Sequence, residues 1–121
     1  MLPAILQGPQ DKTIPSQSTA SFHCTSDVPT DIYWKYAPVA GGSSVYVFDR
    51  RGRNEKLFDE RFGKTVNGFT SILTIRNVQQ SDAGIYLCRE SMSYNQWTAQ
   101  LTVIGSTIIM FFAYGTDCGY V

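Results

Sequence analysis

Cys24, Trp34 and the run Asp82-Ala83-Gly84-Ile85-Tyr86-Leu87-Cys88 constrain this chain more than any other feature. Each residue type has a physical job in one architecture, a two-sheet β-sandwich pinned through its middle. If Cys24 and Cys88 pair, the bond closes a loop of roughly 65 residues and contributes about 4 kcal/mol on the chain-entropy model. Trp34 supplies a large ring to bury against the sulfurs. Tyr86, two residues before Cys88, can bury its ring and hydrogen-bond across a bend with its hydroxyl. Gly84 leaves room where that bend is tight.

The rest of the sequence alternates with period two. Ala20, Phe22 and Cys24 alternate with Ser21, His23 and Thr25, as in a half-buried strand. Ile32, Trp34 and Tyr36 do the same, as do Phe69, Ser71, Leu73 and Ile75, then Gly84, Tyr86 and Cys88, and finally Ala99, Leu101 and Val103. Breakers fall between these runs, and Asn67-Gly68 is a hairpin signal. Only Gln79 to Ala83 suits a helical turn. The expected fold is therefore all-β. Residues in phase with the cysteines, among them Phe22, Ile32, Leu73, Tyr86, Leu101 and Val103, are expected in the core. Lys35, Ala37, Leu87 and Arg89 point outward by the same alternation.

Composition narrows the function. The chain has 121 residues, enough for one domain, with ten Lys and Arg against ten Asp and Glu. A net charge of zero argues against nucleic acid as a partner. No apolar run approaches the 20 or so residues of a membrane span. Contact with a membrane is thus expected only through segments absent from this chain. Met1 directly before strand-like sequence suggests a start codon added to a mature domain. A paired Cys24 and Cys88 would imply an oxidising compartment and leave Cys118 over. No nucleophile–base pair, phosphate loop or paired-carboxylate motif is present, so no enzyme activity is expected. His23 stands alone and the cysteines lack zinc spacing, so neither metal nor cofactor is expected.

Taken together, these residues resemble the immunoglobulin superfamily. The cysteine spacing, the extra strand between Trp34 and Arg61, and Arg61-Phe62 ahead of Leu73-Thr74-Ile75 and Asp82 resemble its variable, or V-set, branch. The resemblance covers about residues 3 to 104. It implies a two-sheet Greek-key sandwich, a Cys24–Cys88 disulfide, Trp34 and Tyr86 in structural roles, and a salt bridge between Arg61 and Asp82. It also implies an extracellular domain, at the cell surface or secreted, of an immune-type receptor or co-receptor. Such a domain binds a protein ligand through its loops or through the face of its C, F and G strands. A homophilic adhesion or structural module is the alternative. Two departures stand out. Ala37 occupies the position where antigen-receptor domains place a pairing glutamine, and no Phe-Gly-x-Gly-Thr follows Trp97.

Candidate contact residues follow from chemistry and from that resemblance. Met92, Ser93, Tyr94, Asn95 and Trp97 lie in the F–G loop, where aromatic rings give contact area at low entropic cost. Arg50, Arg51 and Arg53 follow strand C′ and could meet an acidic protein surface or a sulfated glycan. Asp27 and Asp31 lie in the B–C loop. Lys35, Ala37, Leu87 and Arg89 form the expected homodimer face, with Ala37, Leu87 and either Val45 or Val47 as its exposed apolar patch. The V-set domain is expected over residues 1–105, with 106–121 as a tail. Thr98 to Ile104 reads as the last strand, G. Phe112-Ala113-Tyr114-Gly115-Thr116 partly resembles a joining segment, so the tail could instead supply strand G after a very long loop. The spacing from Cys88 to Leu101 suits the first arrangement better.

Overall fold

In a computed structural model, residues 5–105 are described, and they form two facing β-sheets. The strands are β1 (Ile5–Gln7), β2 (Lys12–Pro15), β3 (Ala20–Ser26), β4 (Ile32–Ala37), β5 (Val45–Asp49), β6 (Gly52–Arg53), β7 (Phe62–Asn67), β8 (Thr70–Ile75), β9 (Gly84–Glu90) and β10 (Trp97–Ile104). One sheet has the order β1-β3-β8-β7, the other β2-β10-β9-β4-β5-β6. Strand G is β10, paired antiparallel with β9. The tail, residues 106–121, with Cys118 and the joining-like stretch, lies outside the described residues.

Alternation explains most of this. The in-phase set Phe22, Cys24, Trp34, Leu73, Tyr86, Cys88, Leu101 and Val103 is buried between the sheets. Cys24 and Cys88 are bonded there, S–S 2.06 Å. Trp34 Nε1–H donates to Ser71 Oγ at 2.9 Å, so the buried indole leaves no orphan donor. The Phe22 and Tyr86 rings stack at 5.3 Å between centroids.

Three local devices shape the frame. Gly8 and Pro9 divide the first strand, so that β1 pairs with β3 in one sheet and β2 runs parallel to β10 in the other. Proline has no N–H for the ladder, which suits it to a point where the chain changes sheets. The β7–β8 hairpin turns through Gly68-Phe69, with Asn67 paired to Thr70. Gly68 has φ +64° and Phe69 does not take positive φ, which fits a type II′ turn. The Asn-Gly signal thus marks the hairpin, but its turn starts one residue later than an Asn-Gly turn would. Phe69 then sits at the tip, exposed, rather than in phase with the core. Finally, a register shift between Trp34 and Lys35 against β5 breaks strict alternation there, and Val47 and Phe48 are both buried.

Antiparallel pairing also sorts the loops. The connections β3–β4, β5–β6, β7–β8 and β9–β10 emerge at one end, here the loop pole. The β4–β5 connection and the 3-10 turn Gln80–Asp82 lie at the far pole. Arg61 closes that end. Its Nη1 and Nη2 donate to Asp82 Oδ2 and Oδ1 at 2.7 and 3.0 Å, and Nη1 reaches the carbonyl of Asn77 at 3.0 Å. The hydrogen bond to Asp82 holds the guanidinium pKa above its ordinary value. Tyr86 Oη donates to the Asp82 carbonyl at 2.6 Å, and burial pushes its phenol pKa up. Arg61, Asp82, Tyr36 and Tyr86 help line a cavity of about 390 Å³, so this end joins the two sheets.

Candidate binding surface at the loop pole

The pole is knit together before any ligand arrives. Ser26 N–H donates to the Phe69 carbonyl at 3.0 Å, tying the β7–β8 tip to the end of β3. Ser91 N–H donates to the Asp31 carbonyl at 3.0 Å, tying the β9–β10 loop to the β3–β4 loop. Beneath them Glu90 is fully buried, and its Oε2 accepts from Ser26 Oγ at 2.6 Å. A buried carboxylate is tolerated only with such partners.

Arg89 organises the β9–β10 loop. Its Nη1 donates to the carbonyls of Ser93 (2.8 Å) and Glu90 (3.0 Å) and lies 3.5 Å from that of Ser91. Its Nη2 donates to Tyr46 Oη at 2.7 Å. The guanidinium carbon lies 5.1, 5.9 and 6.0 Å from the ring centroids of Tyr33, Tyr46 and Tyr94. Lys35 joins the same layer, 5.1 Å from the Tyr46 ring, with Nζ donating to Gln96 Oε1 at 3.0 Å.

Two members of the expected homodimer face are less exposed than alternation implies. Leu87 shares the outward face with Lys35 but is only 9% exposed, and Ala37 is only 3% exposed. These two members of the expected apolar patch are covered within the monomer. Alternation gives the direction of a side chain and says nothing about what lies over it. Lys35 and Arg89 are half-buried and donate to Gln96, Tyr46 and the loop carbonyls.

The other candidate residues separate by position. Tyr94 is 94% exposed, Met92 is also well exposed, and Asn95 projects beside them. Ser93 turns inward in part, its carbonyl holding Arg89 and its Oγ accepting from Asn95 N–H at 3.2 Å. Trp97 is half-exposed and lies across Gly8, where an added Cβ would stand 2.9 Å from Trp97 Cβ. Asp31 is exposed and Asp27 half-buried. Arg50 and Arg51 occupy the two-residue β5–β6 turn and are exposed. Arg53 is partly committed, its Nε donating to the Phe58 carbonyl at 3.2 Å.

Sequence reasoning missed Leu6, Val28, Val66 and Phe69. Leu6, Val66 and Phe69 are exposed apolar side chains on other strands, and the topology carries them to the same pole as Val28, Met92, Tyr94 and Trp97. Val66 and Phe69 share a small depression with Thr30 and Asp31. An out-of-phase apolar residue, Val66, beside a hairpin signal was the available clue.

The model of the immunoglobulin V-set domain family matches residues 7–104. This chain belongs to the immunoglobulin V-set family. Within curated proteins, the V-set chain is similar to Protein sax-3 of Caenorhabditis elegans, 30% identical over 89 residues. That match takes in 71% of this chain and only 6% of sax-3. Among solved structures, the titin M10 complex with obscurin-like 1 superposes with a TM-score of 0.62 at 21% identity, covering 85% of this chain and 93% of that one. Titin I81 gives 0.61 at 17% identity, over 84% and 96% of the two chains. At these identities the titin likeness shows the immunoglobulin sandwich and nothing finer.

Proposed function

We propose that this V-set domain is an extracellular protein-recognition module that engages its partner with the loop pole. One observation carries the reading. The exposed large apolar side chains are not scattered. Leu6, Val28, Val66, Phe69, Met92, Tyr94 and Trp97 gather at the loop pole, leaving Val39, Val45 and Leu57 toward the far pole. Apolar and aromatic side chains rimmed by polar loops are what a protein interface buries at its centre. A disulfide-bonded sandwich fits an oxidising, extracellular setting. The finer reading, an immune-type receptor or co-receptor, rests on the sequence resemblance alone, since a V-set match gives the domain and not its setting. The covered state of Leu87 and Ala37 weighs against homophilic pairing through the outer face of the larger sheet.

The test compares the two poles. The domain, displayed as a tetramer, is screened against an array of ectodomains and cell-surface proteins. Each hit is then titrated with two variants, Met92→Ser/Tyr94→Ala/Phe69→Ser and Val39→Ser/Leu57→Ser. The loop-pole variant should lose about tenfold or more in affinity, as truncated aromatic anchors do. The far-pole variant should bind as the parent does. The opposite pattern would refute the proposal.

A further inference from the structure

The β5–β6 turn carries charge that the fold does not use. Asp49 Oδ1 accepts the backbone N–H of Arg51 at 2.8 Å, which shapes the turn, and both arginines are exposed. Among the described residues, neither the Arg50 nor the Arg51 guanidinium is engaged in an ion pair or side-chain hydrogen bond. Two open depressions flank Arg51. One, of about 290 Å³, lies between Tyr33, Tyr46, Asp49 and the two arginines. The other, of about 740 Å³, shares Tyr46, Asp49 and Arg51 and continues to Lys56. They share Tyr46, Asp49 and Arg51, so the two lie side by side as one shallow trough. Its cations are Arg50, Arg51, Arg53 and Lys56, and its carboxylates Asp49 and Glu55, an excess of two positive charges in a chain of zero net charge.

We propose that this trough binds a sulfated polysaccharide of the glycosaminoglycan class. Planar guanidinium groups pair with tetrahedral oxyanions through two parallel N–H···O bonds, a geometry a lysine cannot copy. The spacing Arg50-Arg51-x-Arg53 is a short basic cluster of the kind that meets such polyanions. The walls favour a sugar over a protein segment. They are shallow and open, and the one aliphatic side chain among them is Val45, so they offer no deep apolar pocket of the sort that seats a protein anchor. Tyr33 and Tyr46 instead present aromatic rings, set edge-to-face at 5.8 Å, along the wall beside the arginines. A linear chain can enter at one end, lay sulfates on Arg50 and Arg51, and leave past Lys56.

The experiment measures binding of the domain to an immobilised heparin oligosaccharide, with hyaluronan (carboxylate but no sulfate) and poly-glutamate as comparators. The parent should bind heparin at physiological salt, weaken steeply as salt rises, and ignore both comparators. Arg50→Ala/Arg51→Ala should lose about tenfold in affinity per arginine, at unchanged melting temperature. Arg50→Lys/Arg51→Lys, which keeps the charge, should recover only part of it. If the double alanine variant melts lower, Lys56→Glu on the opposite wall provides the same test. The loop-pole variant above should bind heparin normally, which separates this proposal from the previous one. No heparin binding by the parent, equal binding by the alanine variant, or equal binding of poly-glutamate would overturn it.

Discussion

Replacing Arg89 with methionine should loosen the β9–β10 loop while leaving the sandwich folded. Methionine keeps an unbranched, polarizable stem to pack on Tyr33 and Tyr46 but removes every donor. Three charge-assisted bonds of good length are lost, to the Ser93 and Glu90 carbonyls and to Tyr46 Oη. At about 1.5 kcal/mol each, the low end for ionised donors, they would sum to about 4–5 kcal/mol. Cation–π attraction to Tyr33 adds about 0.5–1 kcal/mol. Arg89 is only half-buried, so water replaces much of this, and a net loss of about 2 kcal/mol is expected. Most of it falls on the loop itself, since two of the freed carbonyls belong to its turn. The reporters are the amides of Ser91 and Ser93, which bond to the carbonyls of Asp31 and Glu90. Their hydrogen exchange should accelerate by about thirtyfold, the factor that 2 kcal/mol implies. Exchange at core amides such as Leu73 should change by much less. Loop exchange within twofold of the parent would refute the view that Arg89 organises this loop.

Three further outcomes follow from the same geometry. Arg61→Ala leaves Asp82 buried without its bidentate partner and should cost about 2–4 kcal/mol in urea unfolding, with Arg61→Lys recovering only a minority. Gly84→Ala should destabilise by about 1–3 kcal/mol, read as a lower melting temperature, because φ is +146° and the new Cβ would stand 2.8 Å from the Ala37 carbonyl oxygen. Raised pH should act through Tyr86. Its folded pKa lies above the unfolded value, so its contribution is complete below about pH 10 and is lost as pH rises beyond that. Circular dichroism should therefore show alkaline unfolding that shifts upward in Tyr86→Phe measured against its own neutral-pH stability.

The frame was legible because each of its parts is local or periodic. Alternation located Phe22, Leu73 and Leu101, and the spacing of Cys24, Trp34 and Cys88 announced the sandwich. Arg61 and Asp82 were reached through the V-set resemblance, and they meet as it implied. Three things were not legible. The register shift beside Trp34 changes parity on β5, and no residue type signals it. The low exposure of Leu87 and Ala37 is not set by alternation, which gives the direction of a side chain and not its cover. The loop pole draws Leu6, Val66 and Phe69 from strands far apart in sequence, so their proximity exists only once the topology is known.

The strand order also fixes how the domain is presented. β10 runs from the loop pole, beginning at Trp97, to the far pole at Ile104, where Gly105 lies beside the Gln80 side chain. A tether joined at Gly105 therefore pulls from beneath, and the recognition loops look away from whatever holds the domain. Attachment ahead of Ile5 does the reverse, because β1 starts beside Ser26 at the loop pole. For immobilisation, display or fusion, the two ends are not equivalent handles: one offers the pole to incoming molecules, and the other stands in front of it.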